Sequence, residues 1–115
     1  MAKITSLLFV LPVRDLEQAV RFYSDAFDLQ EVYRADNIVF VGIPGTDVSF
    51  GILRDPASAG NGPQNVGLHI DHAADRDDVI SGIQRAGGKI VERGEHAPGV
   101  PFARMADPDG NELEI

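Results

Sequence analysis

The side chains best placed to do chemistry together are Glu114, Arg104 and His69, with Ser49 and Phe102 beside them. The run Asn111-Glu112-Leu113-Glu114-Ile115 alternates, so Glu112 and Glu114 face one way and Leu113 and Ile115 the other. The same parity puts Phe102 and Arg104 on that inward face in the preceding strand, with Gly67, His69 and Asp71 in the strand opening the second half. Ser49 and Gly51, then Leu8, Val10 and Pro12, complete it in the first half. A carboxylate with an imidazole can hold a divalent ion or move a proton. Arg104 can pair with Glu114, bind an anionic ligand group or reach solvent. Leu8, Val10 and Phe102 offer apolar contact. Ser49 has no sequence signal of an activating base, so nucleophilic catalysis is not indicated.

The elements that must position these residues are written twice. An apolar strand over residues 5–13 is followed by Asp15, a helix N-cap with Gln18 at the third helical position, and Leu16, Val20, Tyr23 and Phe27 form one helical stripe. Strands follow at Gln30 to Tyr33, Asn37 to Gly42 and Val48 to Leu53. Residues 55–65, rich in Gly, Pro, Asn and Ser, read as a linker. The order then repeats: a strand over Val66 to Asp71, a helix from about Asp75 to Ala86, a Gly87-Gly88 stop, and strands at Lys89 to Glu92, Pro101 to Ala106 and Asn111 to Ile115. In the first and fifth strands and the fourth, parity sends Leu7, Phe9 and Leu11, Val48, Phe50 and Ile52, and Val66, Leu68 and Ile70 toward the helices. Gly45 to Phe50 aligns with Gly110 to Ile115 and Asp15 with Asp75, as expected of an internal duplication.

Composition narrows the function classes. At 115 residues and 43% apolar content, one domain is expected: module one at about 4–54, the linker, and module two at about 66–115. A formal charge of −8 with scattered Lys and Arg argues against nucleic acid and anionic membranes. The absence of cysteine removes disulfides and thiolate metal sites and fits the cytoplasm. The apolar run Leu7 to Val13 is too short for a membrane span and lacks a cleavage pattern. Asp107-Pro108-Asp109-Gly110 lacks the longer acidic loop of a calcium site and reads as a turn. His72 and His96 read as solvated loop residues.

Leu11-Pro12-Val13-Arg14-Asp15-Leu16 running into Arg21-Phe22-Tyr23, then Gln84 to Lys89, and the closing Asp107 to Asn111 resemble the vicinal oxygen chelate superfamily of glyoxalases, extradiol dioxygenases and bleomycin-resistance proteins. The resemblance covers essentially the whole chain. It implies an α+β fold of two βαβββ modules whose curled sheets enclose a cavity with helices outside, and often a homodimer. Metal-dependent members take their ligands from the first, fourth, fifth and eighth strands, which here gives Leu8, Ser49, Gly67 and Glu114. Only Glu114 is a ligand of the family's usual kind. His69 could substitute only if the strand register shifts, since two residues is about 6.6 Å against a bond of about 2 Å.

The expectation is therefore a metal-independent protein that binds or sequesters a small aromatic or anionic molecule, with Leu8, Val10, Ser49, His69, Phe102, Arg104 and Glu114 lining the cavity. No cofactor is expected. The alternative is a lyase, isomerase or dioxygenase-type enzyme in which Glu114 is catalytic, through a displaced metal site with His69 or through metal-free acid–base chemistry with Arg104 stabilising an anion. A third reading is an interaction module with a vestigial cavity.

Overall fold

A computed structural model describes residues 2–69 and 76–115, apart from the side chains of Pro63 and Asn65. The chain is α+β. In module one, β1 (Val10–Val13) leads into α1 (Leu16–Phe27), then β2 (Gln30–Arg34), β3 (Ile38–Gly42) and β4 (Ser49–Arg54). Module two runs β5 (Gly62–Gly67), α2 (Arg76–Arg85), β6 (Lys89–Ala97), β7 (Val100–Ala106) and β8 (Asn111–Glu114). The two mixed sheets have matching orders, β1-β4-β3-β2 and β5-β8-β7-β6, each with its first strand parallel to its last. They are not closed onto each other.

Local chemistry explains the elements. Asp15 caps α1 by accepting from the Gln18 amide at 3.1 Å, in extended conformation. The helix stripe then buries Leu16, Ala19, Phe22 and Tyr23 against Val39 and Val41 of β3 and Phe50 and Ile52 of β4. In module two Ile80 and Ile83 of α2 join Ala103, Met105, Leu113 and Ile115 in the same apolar cluster. The helices meet. At Gly88 an added Cβ would sit 2.8 Å from both the Phe22 ring and Ile83, so only glycine lets the start of β6 approach both helices.

A buried polar knot joins the modules. Tyr23 of α1 donates to Asp107 Oδ2 at 2.7 Å, and Asn111 Nδ2 donates to Asp107 and to the Pro12 carbonyl at 3.1 and 2.7 Å. Arg14 adds its backbone amide to Asp109 Oδ1 and its guanidinium to the Asp109 and Ala59 carbonyls, at 2.9, 3.0 and 3.0 Å. Burial pushes the Tyr23 phenol well above its ordinary value, and the neighbouring Asp107 charge adds to it. Burial likewise raises Asp107, against the hydrogen bonds from Tyr23 and Asn111 that favour its ionised form. The Asp107-to-Asn111 turn is thus the clasp between modules.

Several boundaries differ from the sequence reading. Residues 2–9, an N-terminal arm, precede β1 and form no strand: Ile4, Leu7 and Leu8 are 86, 89 and 66% exposed, because none of the described residues covers them. Leu7 and Val48, expected against the helix, are exposed. β5 starts at Gly62, inside the expected linker, since backbone pairing with β8 does not require apolar side chains. β6 continues to Ala97, held by β7 across polar residues that carry no apolar periodicity. The expected strand end at Ile70-Asp71, His72 and the Asp75 cap lie outside the described residues.

Candidate functional site: two hollows beside the module junction

The larger hollow is an inter-module cleft of about 730 Å³. Its walls are Phe9 from the arm, Phe27 from the end of α1, Val41 and Phe50 from β3 and β4, Leu68 just after β5, and Val79 from α2. Phe9 stacks on Phe50 with centroids 4.7 Å apart and planes at 12°, and Tyr23 meets Phe50 edge-on at 5.7 Å. Such a wall takes an apolar or aromatic body. Polar groups are few: Ser49, His69, Asp25 and Asp28.

The smaller hollow, about 420 Å³, has His69, Arg76, His96 and Glu114 among its lining residues. His96 contacts Glu114 through Nε2 and stacks on Phe102 at 4.4 Å and 18°. Phe102 in turn lies over Gly94, where an added Cβ would come within 2.8 Å of the ring. A carboxylate on one side and an aromatic face on the other fix the imidazole's orientation. Arg76 is turned to the Ile115 carbonyl, to which it donates at 3.1 Å.

The sequence-selected residues are therefore divided. Ser49 lines the cleft, Glu114 the smaller hollow, and His69 both. Leu8 stands exposed on the arm, and Val10 is half-buried beside Gly51, where an added Cβ would touch it at 3.2 Å. Arg104 is directly opposite Glu114 across the β7–β8 ladder, yet its ion pair is with Glu92, with 3.9 Å from Nε to Oε2. Glu114 is held by His96 instead. The expected Arg104–Glu114 pair is replaced because β6 sets Glu92 beside Arg104 and its extension beyond Glu92 brings His96 to Glu114.

His96 falls outside the strand that the sequence pattern gives, which ends at Glu92. The available signal was period-two continuation through Glu92, Gly94 and His96, which keeps His96 in phase with inward residues. The acidic end of α1 was missed because it belongs to no motif.

The resemblance points to four positions for metal ligands: Leu8, Ser49, Gly67 and Glu114. Of the four positions, Leu8 and Gly67 have no donor and Ser49 offers a weak hydroxyl. Among the described residues no group of three or more His, Cys, Asp or Glu side chains is arranged to hold an ion. Among them, too, no helix is long and apolar enough to cross a membrane.

Residues 5–115 match the family model described as Glyoxalase/Bleomycin resistance protein/Dioxygenase superfamily. Among solved structures, the chain is similar to TnmS3, an antibiotic binding protein from Streptomyces sp. CB03234, at 25% identity and TM-score 0.75, covering 99% of this chain and 95% of that one. It is similar to the bleomycin-binding protein from bleomycin-producing Streptomyces verticillus, complexed with copper(II)-bleomycin, at 21% identity and TM-score 0.69, covering 99% and 96%. The Mn(II)-bound E126Q mutant of the fosfomycin resistance protein FosX from Listeria monocytogenes matches at 18% identity and TM-score 0.75, covering 97% and 89%. No curated protein matches the chain.

Proposed function

Since the chain belongs to the Glyoxalase/Bleomycin resistance protein/Dioxygenase superfamily, we propose that it is a single-domain binding protein that holds a small organic molecule in the inter-module cleft, without a metal. The observation that carries this reading is the cleft itself. Its volume of about 730 Å³ and its stacked Phe9–Phe50 wall suit a drug-sized aromatic or apolar body. Sequestration needs no catalytic set, and two of the similar structures are of proteins described as bleomycin-binding and antibiotic binding. The metal-free reading is supported by the donors lost at Leu8, Ser49 and Gly67.

We place the protein in the cytoplasm as a homodimer. Support for the second copy comes from the arm, where Ile4, Leu7 and Leu8 expose apolar surface that another chain would cover. Thermal shift across a broad panel of aromatic antibiotics and their precursors tests the binding role. A ligand at about 100 times its Kd adds about 2.7 kcal/mol of stability. Silence across the panel contradicts the proposal.

A second reading is favoured by the His96–Glu114 contact: proton transfer at the smaller hollow by an imidazole oriented by a carboxylate. It predicts that the solvent-exchange rate of an acidic C–H in a bound ligand falls in His96→Gln. Unchanged exchange removes it.

A further inference from the structure

Charge in the cleft is one-sided. Two carboxylates, Asp25 and Asp28, share its lining with the imidazole of His69, and among the described residues no Lys or Arg is part of it. Both sit at the C-terminal end of α1, where Asp28 is the C-cap in left-handed conformation (φ 55°). That is the wrong sign for a helix end. The last carbonyls carry partial negative charge and are ordinarily met by a cation, yet the last turn of α1 has no basic residue. The other helix obeys the rule: α2 has Asp77 and Asp78 in its first turn and Arg85 in its last. Neither Asp25 nor Asp28 forms an ion pair with a described residue. The inverted end is also the one that opens on the apolar cleft.

From this we infer that the cleft takes a lipophilic cation, an ammonium group carried on an aromatic or aliphatic body. The body lies against Phe9, Phe27, Phe50 and Val79, while the ammonium faces Asp25, Asp28 and the terminal carbonyls of α1. An anionic ligand is disfavoured here, since Arg104, the guanidinium once available for it, faces Glu92 on the other sheet. The inference rests on the cleft being the ligand site and adds the class of ligand. No proton or bond is exchanged.

The test is titration calorimetry on the full chain at neutral pH and low salt with three matched probes. These are naphthalen-1-ylmethylamine as cation, naphthalen-1-ylmethanol as neutral partner and 1-naphthoate as anion. The amine is expected to bind about three- to tenfold more tightly than the alcohol, with naphthoate weakest. The double variant Asp25→Asn/Asp28→Asn brings the amine down to the alcohol, and an unchanged circular dichroism spectrum and melting temperature show that the variant is folded. Asp36→Asn/Glu95→Gln makes the same change in net charge away from the cleft and keeps the preference.

Equal binding of amine and alcohol overturns the inference while the binding reading stands. A preference that survives Asp25→Asn/Asp28→Asn overturns it too, by tracing the effect to the overall charge of −8. If none of the probes binds, and the cleft is covered by a second copy in solution, the reading and the inference fall together.

Discussion

Module one and module two repeat the same elements in the same strand order, and they differ most on the sheet faces turned away from the helices. In module one a row across four strands reads Val10, Gly51, Phe40, Tyr33. In module two a row across three strands reads Glu114, Arg104, Glu92. The helix-facing sides match instead: Val39, Val41 and Ile52 in one and Ala103, Met105 and Leu113 in the other are 0 to 2% exposed. Duplication constrains the surface each module must bury and leaves its other face free to diverge. The polar and charged groups have accumulated in module two, the apolar and aromatic ones in module one.

The largest expected effect tests the matched side. Ile52→Ala and Leu113→Ala each remove a fully buried side chain, one per module, and each is expected to cost about 2–5 kcal/mol in urea unfolding with a single transition. Two separate transitions would show that the modules unfold independently.

Next comes the clasp between them. Tyr23→Phe removes the buried bond to Asp107 and is expected to cost about 1–3 kcal/mol at neutral pH. That cost shrinks in alkali. Because the folded phenol is held above its unfolded value, the stability it contributes is complete below about pH 10 and is lost as pH rises beyond that, by up to about 1.4 kcal/mol per unit. Tyr23→Phe should therefore flatten the alkaline decline, read from unfolding midpoints between neutral and strongly alkaline pH. A variant as steep as the wild type would place the ionising group elsewhere.

The divergent faces should matter less for stability. Gly94→Ala is expected to cost about 1 kcal/mol and to displace Phe102 and the His96 ring stacked on it, visible as changed ring-proton NMR shifts. Arg104→Gln, which breaks only a long and partly exposed pair, should cost less than about 1 kcal/mol. A loss several times larger would mean that the charged row holds module two together, contrary to the comparison.

These differences also show what was legible in the residues. The α1 stripe, the Asp15 cap and the glycine stop after α2 follow from local periodicity and capping, and the module repeat was readable from Gly45 to Phe50 against Gly110 to Ile115. Parity put Arg104 and Glu114 on one face, and they stand opposite each other on adjacent strands. It could not give their partners, because Glu92 reaches Arg104 only through cross-strand register and His96 arrives from a strand extended by backbone pairing alone. Nor could it show that Ser49 and Glu114 line different hollows, since that depends on how α1 and α2 pack one module against the other. The arm shows the same limit: Leu7 and Leu8 have strand-like chemistry, but among the described residues they join no sheet.

The central claim, that the inter-module cleft is the ligand site, is most directly tested by two-dimensional NMR of the labelled chain titrated with naphthalen-1-ylmethylamine. The account predicts saturable shifts concentrated at Phe9, Phe27, Val41, Phe50 and Val79, abolished in Val79→Trp, which fills the cleft. Shifts confined to His96, Phe102 and Glu114 would contradict it.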